Sequence, residues 1–249
     1  MPSYSKTTKK LPYSIFFLIP FLVLYEIGIW KNIGGGNING ADYLLRYFFN
    51  FILSFLNLKI SYRALGIIVG VLLVLFVVYL VYRRIKIKFS FLFLMLLESL
   101  ALALGLAILV QLTLTWQLPH FFTFKPNPSV IQQINLLGLD NIWAKIVACL
   151  GAGIFEEFVF RVVLVGLLIK IFGAQMSYGY NNSALIKVVL LSSLIFAVMH
   201  ASTVGTLWGY LSIFITSIFL TLIYLYRGYG VAAMAHAYYD FFLMIGFIS

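Results

Sequence analysis

The sequence predicts an all-α fold: a polytopic transmembrane helical bundle of 7–8 spans, one integral membrane domain over residues 1–249. Three observations carry this. Hydrophobic residues make up 63% of the 249 and charged residues only 10%, where a soluble domain is about 45–50% apolar and about 25% charged. Apolar runs near the length that crosses a bilayer, about 20 residues, recur along the chain. The cations lie between those runs, as the positive-inside rule requires.

The elements follow in order. The polar, basic start "MPSYSKTTKK" precedes an apolar run over 13–30. That run contains Pro20 and Glu26 and has no A-x-A-like cleavage site, so it reads as a retained first helix and not a cleaved signal peptide. Gly34–Gly36 and "GNING" form a loop without the Lys-Ser/Thr ending of a phosphate-binding loop. Over 41–58, Asp42, Arg46, Asn50, Ser54 and Asn57 fall on one helical face. This stretch is either an interfacial amphipathic helix or an eighth span with its polar stripe turned to the bundle. Clear spans follow at 64–82 and 89–112, separated by Arg83, Arg84, Lys86 and Lys88. Residues 113–140, with Pro119, Pro126 and Pro128, form the longest connection, and His120 there reads as a solvated loop histidine. The last four spans are 143–172, 184–203, 208–226 and 230–248.

If 41–58 does not fully cross, the basic clusters all fall on one side, the cytoplasmic one, with the N-terminus. The expected location is a cell membrane, multi-pass. Richness in Ile, Phe, Leu, Tyr and Lys points to a bacterial plasma membrane. The net charge of +10 is explained by this loop pattern and implies no nucleic acid partner. The single cysteine, Cys149, excludes an intramolecular disulfide and a Cys-based zinc site, and reads as a small buried hydrophobe.

An ionisable side chain at mid-bilayer costs about 2.5–3.5 kcal/mol on insertion scales, so each one within a span is a functional candidate. Here these are Glu26, Glu98, Glu156, Glu157, Arg161, His200, His236 and Asp240. The chain has only seven acidic residues, and two stand side by side in "GAGIFEEFVFR". Glu157 and Arg161, four apart, share a helical face and can pair. Glu156 lies about 100° round an α-helix from Glu157 and has no such partner. An unpaired carboxylate in apolar surroundings suits a general base. His236 and Asp240 are also four apart and able to reach one metal or one water. Ala144, Ala148 and Ala152 form a small stripe that lets a neighbouring helix approach. Ser192 and Ser193 read as helix-packing serines. Glu26 and Glu98 read as buried polar contacts lining the bundle, with Glu98 in the catalytic cavity as the alternative.

Three motifs stand in order on separate spans: Glu-Glu-x-x-x-Arg at 156–161, Phe196-x-x-x-His200, and His236-x-x-x-Asp240. Together they resemble the CPBP family of intramembrane proteases, which includes type II CAAX prenyl endopeptidases and bacterial relatives linked to bacteriocin immunity and peptide processing. The resemblance covers a catalytic-motif core of about 140–245. It implies an endopeptidase that hydrolyses a peptide bond of a membrane-associated or lipidated peptide or protein. Glu156 and His200 would activate water. His236 and Asp240 would orient the substrate carbonyl, stabilise its oxyanion or hold a metal. Glu157 and Arg161 would support them. Zinc or another divalent metal held by His200, His236, Asp240 and Glu156 is one implied cofactor; a metal-free glutamate mechanism is the other option. The family's last position is commonly Asn, and Asp240, when ionised, cannot donate a hydrogen bond.

Other intramembrane protease chemistries fit worse. There is no His-Glu-x-x-His helix, no Gly-x-Gly-Asp partner for Tyr239-Asp240, and no Gly-x-Ser-x-Gly context. Two further classes compete: a non-catalytic membrane immunity or regulatory protein that binds a peptide or sensor kinase, and a proton-coupled transporter, disfavoured by the absence of inverted repeats.

Overall fold

The computed structural model describes residues 4–31, 33, 39–54, 60–82, 87–115, 141–173, 182–200 and 207–247. Among these, all regular structure is helical: α1 (Tyr4–Thr8), α2 (Leu11–Trp30), α3 (Gly40–Ser54), α4 (Tyr62–Tyr82), α5 (Phe89–Thr115), α6 (Ile142–Gly151), α7 (Gly166–Phe172), α8 (Asn182–Met199), α9 (Leu207–Arg227) and α10 (Tyr229–Met244). Two π-helical stretches, Ala152–Glu156 and Phe158–Val165, join α6 to α7. Gly34–Gly36, residues 83–86, residues 116–140 with His120, and Asn57 lie outside the described residues.

By length and composition, three described helices are long and apolar enough to cross a membrane: Leu11–Trp30, Phe89–Leu112 and Gly209–Arg227. Ala64–Tyr79 and Ser183–Met199 are shorter apolar helices. The expected run at 143–172 is continuously helical from Ile142 to Phe172 but carries Lys145, Glu156, Glu157, Arg161 and Lys170. Long apolar side chains such as Trp30, Ile67, Val74, Phe89, Leu167 and Leu194 stand exposed. A belt of this kind marks a surface made to be covered, here by lipid.

α10 is the axis of the bundle. Val231, Ala232, Ala233 and Ala235 are fully buried, and His236, Ala237 and Tyr239 nearly so. Its small residues let α5, α2, α6, α9 and the first π-helical stretch all pack against it. At 16 residues it is about 24 Å long, shorter than a membrane core of about 30 Å. One core cluster gathers residues of α2, α5, α6, α9 and α10, and a second gathers Val165, Leu168, Val188 and Leu225 between α7, α8 and α9.

Two glycines allow close approaches at α10 and its start. A Cβ at Gly153 would stand 2.8 Å from the Ala237 Cβ and 3.0 Å from its backbone nitrogen. Gly228, between α9 and α10, has φ 87°, and a Cβ there would stand 2.6 Å from the Lys9 carbonyl oxygen. The alanine stripe has a smaller part: Ala144 packs near Met244. Cys149 is buried, with its Sγ 3.5 Å from the Met244 sulfur.

α3 settles which way its polar stripe faces. Asp42 and Arg46 are buried, while Tyr43, Leu44, Tyr47, Phe48 and Phe51 are exposed. Arg46 Nε donates to Asp42 at 2.7 Å and Nη2 to Glu26 of α2 at 2.5 Å. The Asp42–Arg46 end of the stripe is turned to the bundle, while Ser54 further along is exposed.

Candidate active site

The site forms where the π-helical winding meets α8, α10 and the start of α3. A π-helix closes i→i+5 hydrogen bonds and recurs at functional sites, because its wider turn re-aims neighbouring side chains. Here it aims two adjacent glutamates differently. Glu157 is fully buried between α9 and α10; Glu156 keeps 13% side-chain exposure and faces α8 and the α3 entry.

Glu157 joins two helices. Its Oε2 lies 3.1 Å from Arg161 Nε, and its Oε1 accepts from His236 Nδ1 of α10 at 2.9 Å. The Arg161 contact is close in charge but not aligned as a hydrogen bond, for both atoms lack a hydrogen-bonded partner in the structure. Arg161 Nη2 donates to Ser217 of α9 at 3.2 Å, and its guanidinium lies 4.7 Å over the Phe196 ring. The sequence expectation of a Glu157–Arg161 pair holds; the link to His236, and the parts of Ser217 and Phe196, were not foreseen.

Glu156 meets His200 from another helix. His200 Nε2 lies 3.3 Å from Glu156 Oε2, and His200 Nδ1 bonds the Phe196 carbonyl at 2.8 Å. A carbonyl only accepts, so Nδ1 carries the hydrogen and Nε2 is left to face Glu156. The four-residue spacing of Phe196 and His200 produces this bond. It also stacks the two rings at 4.3 Å, and Phe196 meets the His236 ring at 6.1 Å. His236 Nε2 in turn lies 3.4 Å from Asp240 Oδ2. Glu156 is within electrostatic range of both histidines, and Asp240 within range of His200.

Glu156, His200, His236 and Asp240 therefore gather around Phe196 as two acid–imidazole pairs, with Glu157 and Arg161 behind them. Asn39, which precedes α3, also enters: its Nδ2 donates to Glu156 Oε1 at 2.8 Å. Glu98 does not belong to the site. It bonds Arg227 and Tyr4, so the cavity alternative for it fails and the bundle-contact reading stands. Ser192 and Ser193 are buried within α8, and Ser192 bonds the Val189 carbonyl.

Among the described residues, no three His, Cys, Asp or Glu side chains group to hold a metal ion. A zinc site needs its ligand atoms about 2.0–2.3 Å from one point. The 3.3 Å and 3.4 Å separations within the Glu156–His200 and His236–Asp240 pairs would suit two ligands each, and no third donor joins either pair among the described residues.

Fold and site define the class: an all-helical membrane protein with a buried carboxylate–histidine cluster at its centre. Residues 138–242 match the family model described as type II CAAX prenyl endopeptidase Rce1-like. The matched segment runs from α6 to most of α10 and contains Glu156, Glu157, Arg161, His200, His236 and Asp240. The match supports a protease function and, in general terms, a membrane-associated peptide as substrate. No curated protein and no solved structure matches the chain.

Proposed function

We propose that this protein is an intramembrane glutamate-dependent endopeptidase acting on a membrane-associated or lipidated peptide. The observation that supports this best is the approach of Glu156 to His200 from separate helices at 3.3 Å, inside an apolar bundle. A water beside that pair gives its proton to Glu156 and attacks the scissile carbonyl. His200, aligned by the Phe196 carbonyl, holds the water and passes the proton to the leaving amine. His236, held between Glu157 and Asp240, steadies the oxyanion. Asp240 orients His236. Arg161 balances Glu157 and so keeps the inner wall of the site intact.

These steps run on side chains alone. A zinc or other divalent requirement is tested by chelation: activity abolished by a chelator and restored by zinc would replace this scheme with a metal-based one. The whole chain forms one domain in this reading, a multi-pass protein of a bacterial plasma membrane with seven or eight spans and a cytoplasmic N-terminus. Cysteine-accessibility labelling at the N-terminus and in the 83–88 loop checks the orientation: both on the cytoplasmic side means that 41–58 does not fully cross, and opposite sides means that it does.

The function is tested with purified full-length protein in lipid vesicles, offered a farnesylated CAAX-box peptide and an unmodified single-span apolar peptide. Glu156→Gln and His200→Ala are each expected to lower cleavage by about 10²–10⁴-fold, the usual worth of a general base or acid, at unchanged folded yield. Wild-type cleavage in both variants contradicts the reading. Lack of cleavage by the wild type, together with retained peptide binding, favours the non-catalytic immunity or regulatory alternative.

A further inference from the structure

We propose that Asn39, about a hundred residues upstream of the Rce1-like segment, is a positioning residue that sets the orientation of Glu156. This rests on Glu156 acting as the general base. Three observations lead to it.

The first is the direction of the amide. Asn39 Oδ1 accepts the backbone N–H of Ala41 at 2.9 Å, as an N-cap side chain does at the start of α3. With the oxygen so engaged, the NH2 group is the end that faces the site, and it donates to Glu156 Oε1 at 2.8 Å. The assignment of the two amide atoms follows from this network, since an N–H can only donate.

The second is rigidity. Asn39's own backbone N–H donates to the Tyr25 hydroxyl at 3.3 Å, and that hydroxyl donates to Asp42 at 2.9 Å. Asp42 holds Arg46, which holds Glu26. Tyr25 and Asp42 are buried. Gly151, one turn before Glu156, leaves the space: a Cβ there would stand 2.6 Å from the Tyr25 ring and 3.1 Å from the Asn39 Cβ. Asn39 is thus held by α2 and α3 against the catalytic helix.

The third is the division of labour on one carboxylate. Asn39 occupies Oε1, while Oε2 faces His200. Pinning one oxygen fixes the carboxylate plane and leaves the other to receive the water's proton. Asp240, when ionised, accepts only, so Asn39 supplies an amide donor that Asp240 does not. The amino-terminal helices, which the family match does not cover, complete the site.

Two substitutions separate capping from positioning. Asn39→Asp and Asn39→Ser each keep an oxygen to cap α3; Asp has no amide donor, and Ser is too short to reach Glu156. In full-length protein reconstituted in vesicles with the farnesylated CAAX-box peptide, both are expected to lower kcat by about a hundredfold, the cost of a small misplacement of a catalytic group, with KM nearly unchanged. Independently of cleavage, the carboxylate stretching band of Glu156 is read by infrared difference spectroscopy on 13C-Glu-labelled protein, assigned by its loss in Glu156→Gln. The band is expected to move in both Asn39 variants. An unmoved band overturns the inference, and so does wild-type kcat in both variants. If the wild type cleaves neither peptide but the band moves, the contact stands and the protease reading fails.

Discussion

At the residue scale, neighbouring glutamates have opposite demands. Glu157 and Arg161 are fully buried charges, and removing one partner of such a pair leaves the other uncompensated at a cost of about 3–5 kcal/mol. Arg161→Ala is therefore expected to lower unfolding stability in detergent by that order, read by denaturant titration, whereas Glu156→Gln changes stability little and lowers turnover by about 10²–10⁴-fold. The Glu157–Arg161 pair was legible because its four-residue spacing is local. The company of Glu156 was legible only through three motifs on separate spans. Asn39 was not: it sits in a glycine-rich loop far away in sequence, and nothing local to it points to Glu156.

At the element scale, the helix from Ile142 to Phe172 and α10 decide the geometry. Gly153 lets the α10 backbone come against the π-helical winding. Gly153→Val is expected to cost about 1–3 kcal/mol by overpacking and to cut turnover more than proportionally, since it displaces Glu156 along with the helix; paired melting and cleavage measurements check this. Gly228→Ala combines a clash against Lys9 with a positive φ and is expected to lower the melting temperature without selectively changing kcat. The spans were readable from apolar length. The π winding was not, because an almost uniformly apolar run has no periodicity from which a change of pitch can be read. The direction of the α3 stripe was likewise open in sequence and is resolved by Glu26, its Arg46 partner on α2.

At the scale of the whole molecule, the bundle is closed by contacts between its ends. Arg227 bonds Glu98, the Ser5 side chain and carbonyl, and Thr8, and Tyr4 donates to Glu98 at 2.7 Å. Arg227→Ala is expected to raise hydrogen exchange across Tyr4–Thr8 without changing the cleavage rate; unchanged exchange would show that α1 is held by other contacts. Seven or eight crossings were expected, and three described helices are long and apolar enough to cross. The central claim is that Glu156 activates water for peptide hydrolysis in this setting. Its most direct measurement is cleavage of the vesicle-bound peptide in oxygen-18 water. The wild type is predicted to place one heavy oxygen in the new carboxylate, and Glu156→Gln, equally folded, to form labelled product about 10²–10⁴-fold more slowly. Labelled product from Glu156→Gln at the wild-type rate would contradict the claim.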